Sequence, residues 1–285
     1  MYDYLQPEAL YQFIQSSLKE DIGSGDHTSI ASIPQGTKGT AIMYLKDEGV
    51  LAGVEAAEMI FKTVDTSLQT SWFKQDGDSF TKDEIAMEVS GSVHSILMSE
   101  RIVLNTMQRM SGIASGVQSI QQSIAHTKAR LLDSRKTTPN FRIMEKWAVM
   151  IGGGVNHRYG LFDMILLKDN HIDYAGGVKQ ALQNSKAYVK ETNLSLKIEI
   201  ETRTLAEVEE ALEEGGAFRI MLDNMPVPLM KEAVQLINGR AEIEASGGIT
   251  KDTIVAIAET GVDYISMGGI THSYKSKDIS LKAKK

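Results

Sequence analysis

Four short apolar runs, LKIEI at 196–200, RIML at 219–222, AEIEA at 241–245 and YISM at 264–267, decide the fold. The segments between them carry helical punctuation. Thr204 and Glu207 form a capping box whose helix Gly215 closes, Asn238-Gly239 ends the next helix, and Thr250 opens a third that Gly261 closes. Toward the N-terminus, residues 129–132 and 164–167 repeat the pattern, so six strands alternate with helices over the second half of the chain. Strands buried on both faces and separated by helices form a parallel sheet, either open and doubly wound or closed as a barrel.

The first half has a different rhythm. Pro7 suits a first helical turn, and Leu10, Phe13, Ile14 and Leu18 recur at helical spacing until Asp21-Ile22-Gly23. Residues 23–39 read as loop. Strands follow at 41–46 and 50–53 around the turn Asp47-Glu48-Gly49, then a helix face of Ala57, Ile60, Phe61 and Val64, then strands at 69–74 and 85–90. This mixture predicts an α+β unit over about the first hundred residues. A long helix over 99–124, with Val103, Leu104, Met107, Met110, Val117, Ile120 and Ile124 on one stripe and loosened at Gly112 and Gly116, bridges the halves. The lysine-rich end, 275–285, reads as a solvated tail in which Ile279 and Leu281 offer a way to pack back.

Composition narrows the function. Of 285 residues, 42% are hydrophobic and 24% charged, which excludes fibrous and disordered classes. No cysteine is present, so disulfide scaffolds, thiolate-bound zinc and cysteine nucleophiles are excluded, and a reducing compartment is suited. A net charge of −7 disfavours nucleic acid and anionic membranes as partners. The acidic start Met1-Tyr2-Asp3-Tyr4 leads into a polar helical pattern, and no apolar run approaches the roughly 20 residues of a membrane span; a soluble, cytoplasmic protein is expected. HExxH, P-loop, GxGxxG and Gly-x-Ser-x-Gly patterns are all missing.

In parallel α/β folds the chemistry gathers at the carboxyl ends of the strands. Here the six ends are Asp133-Ser134-Arg135-Lys136, Lys168-Asp169, Glu201, Asp223-Asn224, Ser246-Gly247-Gly248 and Gly268-Gly269. One such step alone is ordinarily the chain reaching water. Six at one mouth combine the cations Arg135, Lys136 and Lys168 with two acids and two glycine pairs, an inventory for a polyanionic substrate with a metal. Glu201 and Asp223 suit Mg²⁺, sugar hydroxyls or a developing cation. A helix start at 248–250 would add dipole stabilisation for an anion. The loop Gly152-Gly153-Gly154-Val155-Asn156-His157-Arg158 adds an anion-binding histidine and arginine, whereas His27, His94 and His126 read as structural or exposed.

These residues also carry a resemblance. Asp133 to Pro139, then Arg142, Glu145-Lys146-Trp147-Ala148-Val149, Gly152 to Arg158 and Leu161 follow in order, with Lys168-Asp169-Asn170-His171, Glu199-Ile200-Glu201, Leu222-Asp223-Asn224, Ser246-Gly247-Gly248 and Gly268 to Ser273 beyond them. Glu20 to Gly23, Gly25-Asp26, Ser99-Glu100-Arg101, Leu104-Asn105 and Ser111 to Ala114 precede them. The series resembles the signature of nicotinate-nucleotide pyrophosphorylase (carboxylating), also called quinolinate phosphoribosyltransferase, over essentially the whole chain. Trp147, Ser134 and Asn140 depart from the usual tyrosine, threonine and glycine and leave the charged positions intact.

The resemblance implies an N-terminal α/β sandwich domain over 1–112, joined by the C-terminal segment 273–285, and a six-stranded α/β barrel over 113–272. It implies a homodimer, sometimes assembled into hexamers, with Arg101 serving the neighbour's active site. The implied reaction joins quinolinate to 5-phosphoribosyl 1-diphosphate and releases diphosphate and CO2, leaving nicotinate mononucleotide. Arg101, Arg135, His157, Arg158 and Lys168 would cage the dicarboxylate, and Lys136 with Lys168 would offset the diphosphate. Glu201 and Asp223, with Mg²⁺, would stabilise the ribosyl cation, so that Lys136, Lys168, Glu201 and Asp223 form the catalytic group. Ser246, Gly247 and Gly248 with Met267, Gly268 and Gly269 would hold the 5′-phosphate, and Ser134 and His272 complete the substrate contacts.

Overall fold

The structure, a computed structural model, describes residues 5–284; residues 1–4, including the acidic start, and residue 285 lie outside the described part. In chain order the elements are α1 (Pro7–Ile22), α2 (His27–Ser32), β1 (Lys38–Leu45), β2 (Gly49–Val50), α3 (Val54–Val64), β3 (Gln69–Trp72), β4 (Ser79–Phe80), β5 (Ile85–Ser92), α4 (Val93–Ser123), β6 (Arg130–Leu132), α5 (Arg142–Ile151) and β7 (Ile165–Leu167). They continue with α6 (Asp169–Ala175), α7 (Val178–Thr192), β8 (Ile198–Thr202), α8 (Leu205–Glu214), β9 (Arg219–Asp223), α9 (Val227–Ile237), β10 (Glu242–Ser246), α10 (Ile254–Ala258), β11 (Tyr264–Ser266), α11 (Gly269–His272) and β12 (Ile279–Ala283). The chain divides into two compact units: Met1–Gln118 with Thr137–Gly153 and Ile270–Lys285, and Ser119–Lys136 with Gly154–Gly269.

The first unit is built on an antiparallel sheet in the order β12-β1-β5-β3. Met43, Leu45, Met87 and Val89 of that sheet share one core with Ile14 and Leu18 of α1, Ile60 and Phe61 of α3, and Val103, Leu104 and Met107 of α4. Within the C-terminal segment Ile279–Ala283 form a strand, so the packing-back open to Ile279 and Leu281 holds there rather than a solvated tail. This strand pairs with β1 from Ala41↔Ala283 to Leu45↔Ile279, and Ile279 is buried. The physical reason is that β1 would otherwise present an unpaired edge. Residues 23–39 also hold more order than expected, because the Asp26 carboxylate accepts the Ser29 N–H at 3.0 Å and caps α2.

Helix α4 begins at Val93, earlier than its apolar stripe predicts. The hydroxyls of Ser111 and Ser115 accept the backbone N–H groups of Ala52 (2.9 Å) and Val50 (2.8 Å), fixing the strand beside the helix. Gly112 is a point of close approach rather than a loosening: a Cβ there would lie 2.4 Å from the Lys275 carbonyl oxygen. Arg109 lies over the rings of Phe141 (5.0 Å) and Tyr274 (4.4 Å) and donates from Nε to the buried Glu145 carboxylate at 3.0 Å. Glu145 also accepts the Thr138 N–H at 3.1 Å, so this pair anchors the chain just after the first strand-end motif.

The second unit is a six-stranded parallel sheet in the order β6-β11-β10-β9-β8-β7. From β7 to β11 each strand lies beside its successor, and the first strand, β6, lies beside the last, the cyclic order of a barrel rather than of a doubly wound sheet. Alongside β6 runs the segment at Val155, through a parallel bridge to Leu132 and a hydrogen bond from Val155 N–H to Leu131 O at 2.8 Å.

The register puts Ile198, Ile200, Ile220, Leu222, Ile243 and Ala245 on one face, and Glu199, Glu201, Arg219, Asp223, Glu242 and Glu244 on the other. Both faces are largely buried, but one is charged. Helix α8 has its expected Thr204 cap, with Glu207 N–H donating to Thr204 Oγ1 at 3.2 Å, and Asn238 closes α9 in the left-handed conformation. No described helix is long and apolar enough to cross a membrane.

Gly112→Ala separates sterics from propensity. Alanine favours an exposed helix by about 1 kcal/mol over glycine, whereas overpacking costs about 1–3 kcal/mol. With the Lys275 carbonyl 2.4 Å from the new Cβ, the variant is expected to unfold at lower denaturant concentration than the parent in an equilibrium urea titration.

Candidate active site

The strand ends of the second unit bring several expected residues together. Arg135 is half-buried and Lys136 exposed after β6. Burial, followed by the nearby Arg135 charge, lowers the pKa of Arg158, against the opposing pull of Asp163 and Glu199. Arg158 Nη1 also donates to Met164 O at 3.1 Å. Two guanidinium groups therefore converge in half-buried surroundings, an arrangement that an anion stabilises.

Lys168, exposed at the start of α6, is held by its backbone: its N–H donates to His171 Nδ1 at 3.0 Å. The next N–H, of Asp169, donates to Glu201 Oε2 at 3.1 Å. Burial, with a smaller push from the Asp223 charge, holds the Glu201 carboxyl above the usual range against the pull of Lys168. Glu201, Asp223 and Lys168 are thus one electrostatic group at the ends of β7, β8 and β9. Asp223 Oδ2 accepts the side-chain N–H of Asn224 at 2.8 Å.

The Ser246-Gly247-Gly248 step is built for glycine. Gly247 has φ +94° and Gly248 φ +60°, and a Cβ on Gly247 would lie 2.3 Å from Asn224 Oδ1. Asn224 N–H in turn donates to Ser246 O at 2.9 Å. These conformations are not helical, so the helix expected at 248–250 is displaced: Thr250 O accepts the Ile254 N–H at 3.0 Å and regular α10 starts only at Ile254. Met267 is buried, and Gly268 and Gly269 are half-buried where α11 begins. Arg101, exposed on α4, and His272, whose Nδ1 lies 2.6 Å from Ser273 Oγ, belong to the other compact unit. Ser134 Oγ accepts the Lys136 N–H at 3.1 Å.

His157 is placed differently from the expected mouth ligand. Its side chain is 6% exposed, with Nε2 3.2 Å from Glu199 Oε2 and 3.5 Å from Glu244 Oε2. Arg219 Nη1 reaches the same two oxygens at 3.5 and 3.4 Å, and its Nη2 pairs with Glu242 at 2.9 Å. Asp133, fully buried, accepts the His157 N–H and the Asn156 side-chain N–H, each at 2.7 Å. His157, Glu199 and Glu244 have ligand atoms within 4.8 Å of one another, the only such trio among the described residues, but the Arg219 guanidinium already supplies the cation there.

The groups of this network set one another's protonation. Burial favours the neutral His157 ring, as does the Arg158 N–H directed at Nδ1, against the upward push of Glu199 and Glu244. Burial and then the Glu244 charge raise Glu199, whereas His157 lowers Glu244 in spite of burial. His157 Nδ1 accepts the Arg158 N–H at 2.7 Å, while Glu199 Oε1 and Glu244 Oε1 are buried with no donor. With Nδ1 an acceptor, the ring hydrogen sits on Nε2, facing the two carboxylates. The strand-end reading names Asp133 after β6 without giving it a role, and does not include Glu199, Arg219 or Glu244. Their signal was the period-two charge in Ile198-Glu199-Ile200-Glu201 and Glu242-Ile243-Glu244.

Comparison with known proteins agrees with this architecture. Sequence models described as "Quinolinate phosphoribosyl transferase, N-terminal domain" and "C-terminal domain" match residues 26–111 and 113–282. The chain is 49% identical over 284 residues to "Quinolinate phosphoribosyltransferase [decarboxylating] 1b" of Nicotiana tabacum, covering 94% of this chain and 81% of that protein. It is 48% identical over 284 residues to the chloroplastic "Nicotinate-nucleotide pyrophosphorylase [carboxylating]" of Arabidopsis thaliana, covering 94% and 81%. Among solved structures, the nicotinate-nucleotide pyrophosphorylase from Francisella tularensis superposes with a TM-score of 0.91 at 36% identity over 98% of either chain.

The network has a pH signature. Burial, then the Glu244 charge, lifts the folded Glu199 carboxyl from its ordinary 4.5 to about 7, so the folded protein holds more protons than the unfolded chain across that interval. The associated stability is complete below the ordinary value and is lost as pH rises through about 7. Urea unfolding at pH 5 and pH 8 is expected to show a loss of about 1–3 kcal/mol, and Glu244→Gln is expected to flatten that slope while lowering stability at both pH values.

Proposed function

The chain belongs to the quinolinate phosphoribosyltransferase family, and we propose that it transfers the phosphoribosyl group of 5-phosphoribosyl 1-diphosphate to quinolinate, releasing diphosphate and CO2 and leaving nicotinate mononucleotide. The observation that carries this reading to the site is the convergence of Arg135 and Arg158. Guanidinium groups bind carboxylates bidentately, and two of them match a dicarboxylate better than a single carboxylate. Lys168 adds a third cation beside Glu201. Arg101, exposed on α4, supplies another across a homodimer interface in this reading.

Each remaining group has a task. As diphosphate departs, the anomeric carbon gains cationic character, which the Glu201 and Asp223 carboxylates stabilise while accepting ribose hydroxyls. Lys136 and Lys168 offset the leaving charge. Backbone N–H groups at Ser246 to Gly248 and Met267 to Gly269 face the 5′-phosphate, where a larger residue at Gly247 would collide with Asn224. Ser134 and His272 complete the contacts. Once the ring nitrogen is quaternary, loss of CO2 leaves the bonding electron pair on the carbon beside it, and that carbon takes up a proton; cationic surroundings suffice for this step.

Glu201 and Asp223 are also suited to Mg²⁺, being carboxylate oxygen donors close enough for Asp223 to raise Glu201. Two carboxylates completed by substrate oxygens are a common way to hold this ion. When bound, it neutralises charge on the diphosphate. A cytoplasmic location is part of the same reading, supported by the absence of cysteine; the chloroplastic Arabidopsis relative means that family membership does not by itself set the compartment.

A Mg²⁺-containing assay with the phosphoribosyl donor, following nicotinate mononucleotide and CO2, tests the reading. Quinolinate is expected to give both products and nicotinate neither; product from nicotinate alone would reassign the substrate. Arg135→Ala and Arg158→Ala are each expected to raise the quinolinate KM about 30-fold, equivalent to about 2 kcal/mol for a lost charged hydrogen bond, with the donor KM changing less than about threefold. Equal effects on both substrates would contradict the assignment.

A further inference from the structure

His157 faces protein groups at both ring nitrogens: Nε2 faces Glu199 and Glu244 at 3.2 and 3.5 Å, and Nδ1 accepts the Arg158 N–H at 2.7 Å. The ring is therefore a link between a buried ionic network and the backbone of the next residue. On one side of the link stand side chains fixed on β8, β9 and β10, with Arg219 between Glu199 and Glu244 and stacked 4.3 Å from the Tyr264 ring centre. On the other stands Arg158, in a loop that follows Gly152-Gly153-Gly154, of which Gly153 has φ +90°. A glycine-rich loop has little rigidity of its own, and precise placement of a binding side chain then depends on supports from regular elements. Asp133 adds a second support by accepting the His157 N–H at 2.7 Å.

We propose that Glu244 and Arg219 are positioning residues for Arg158, acting through the His157 ring rather than on the substrate. The proposal rests on the reading above that Arg158 binds a substrate carboxylate. His157 then contributes to the site by holding the Arg158 backbone, and its place next to Arg158 in sequence has a mechanical reason. An empty-handed cation site is a poorer account of the same trio, because Arg219 lies within 3.5 Å of both carboxylates.

Two measurements test the relay. In steady-state kinetics, Glu244→Gln and Arg219→Lys are expected to raise the quinolinate KM about tenfold, within the range that small misplacements produce, with the donor KM changed less than about threefold. Combining Glu244→Gln with Arg158→Ala is expected to add less than about twofold to the Arg158→Ala defect, because the two changes remove one interaction. Multiplicative effects would overturn the proposal.

The second measurement needs no turnover. In ¹⁵N imidazole NMR at neutral pH, with the His157 signal identified by its loss in His157→Gln, the parent is expected to show a protonated Nε2 and a bare, hydrogen-bonded Nδ1. Glu244→Gln is expected to mix the tautomers, and Arg219→Lys, which keeps the charge, serves where Glu244→Gln does not fold. A protonated Nδ1 in the parent, or a tautomer indifferent to both substitutions, would refute the link. Failure to turn over quinolinate would instead remove the substrate reading while the NMR result still decided whether the relay exists.

Discussion

Charge burial is the constraint on which the second unit depends. Its sheet turns Glu199, Arg219, Glu242 and Glu244 to one face, and Glu199 and Glu244 are fully removed from solvent. Ionised carboxylates in such surroundings are tolerated only when paired and hydrogen-bonded. Arg219 meets this requirement by reaching all three glutamates, and His157 completes the enclosure of two of them. A barrel interior filled by branched aliphatic side chains would be cheaper in desolvation. The charged interior instead fixes partners whose geometry is directional.

That interior and the strand-end site are continuous. Glu201 lies two residues beyond Glu199 on β8, and Asp223 lies two beyond Met221 on β9, so both share the charged face and emerge where the strands end. Strand alternation thus makes one column of side chains, neutralised at its buried end and ending in Glu201 and Asp223 at the other. The loops add groups that the strands cannot: Gly247 and Gly248 adopt conformations closed to most residues, and Arg158 sits beside Arg135 because the segment at Val155 runs along β6.

The first unit illustrates the same dependence on pairing. Its sheet is completed by β12, from the end of the chain, and its long helix touches the residues around Lys275 only because position 112 is glycine. Arg109 and Glu145 hold the stretch after Lys136 from two aromatic faces and one buried carboxylate. None of these partners is near the other in sequence.

Much of this was legible in the chain. The six runs with capped helices between them determine the alternating order of elements, and the strand-end residues Arg135, Lys168, Glu201 and Asp223 could be named because a strand's last residue is a local property. Pattern also carried the family likeness. Pattern alone left undecided which strands neighbour one another, whether residues 279–283 form a strand, and which buried charges pair. Those depend on register between segments distant in sequence, such as Glu199 with Arg219 and Arg219 with Glu242. Only the tertiary structure decided that His157 turns inward to two glutamates, because burial and electrostatic partners are properties of the assembled sheet, whereas periodicity and capping are properties of the chain itself.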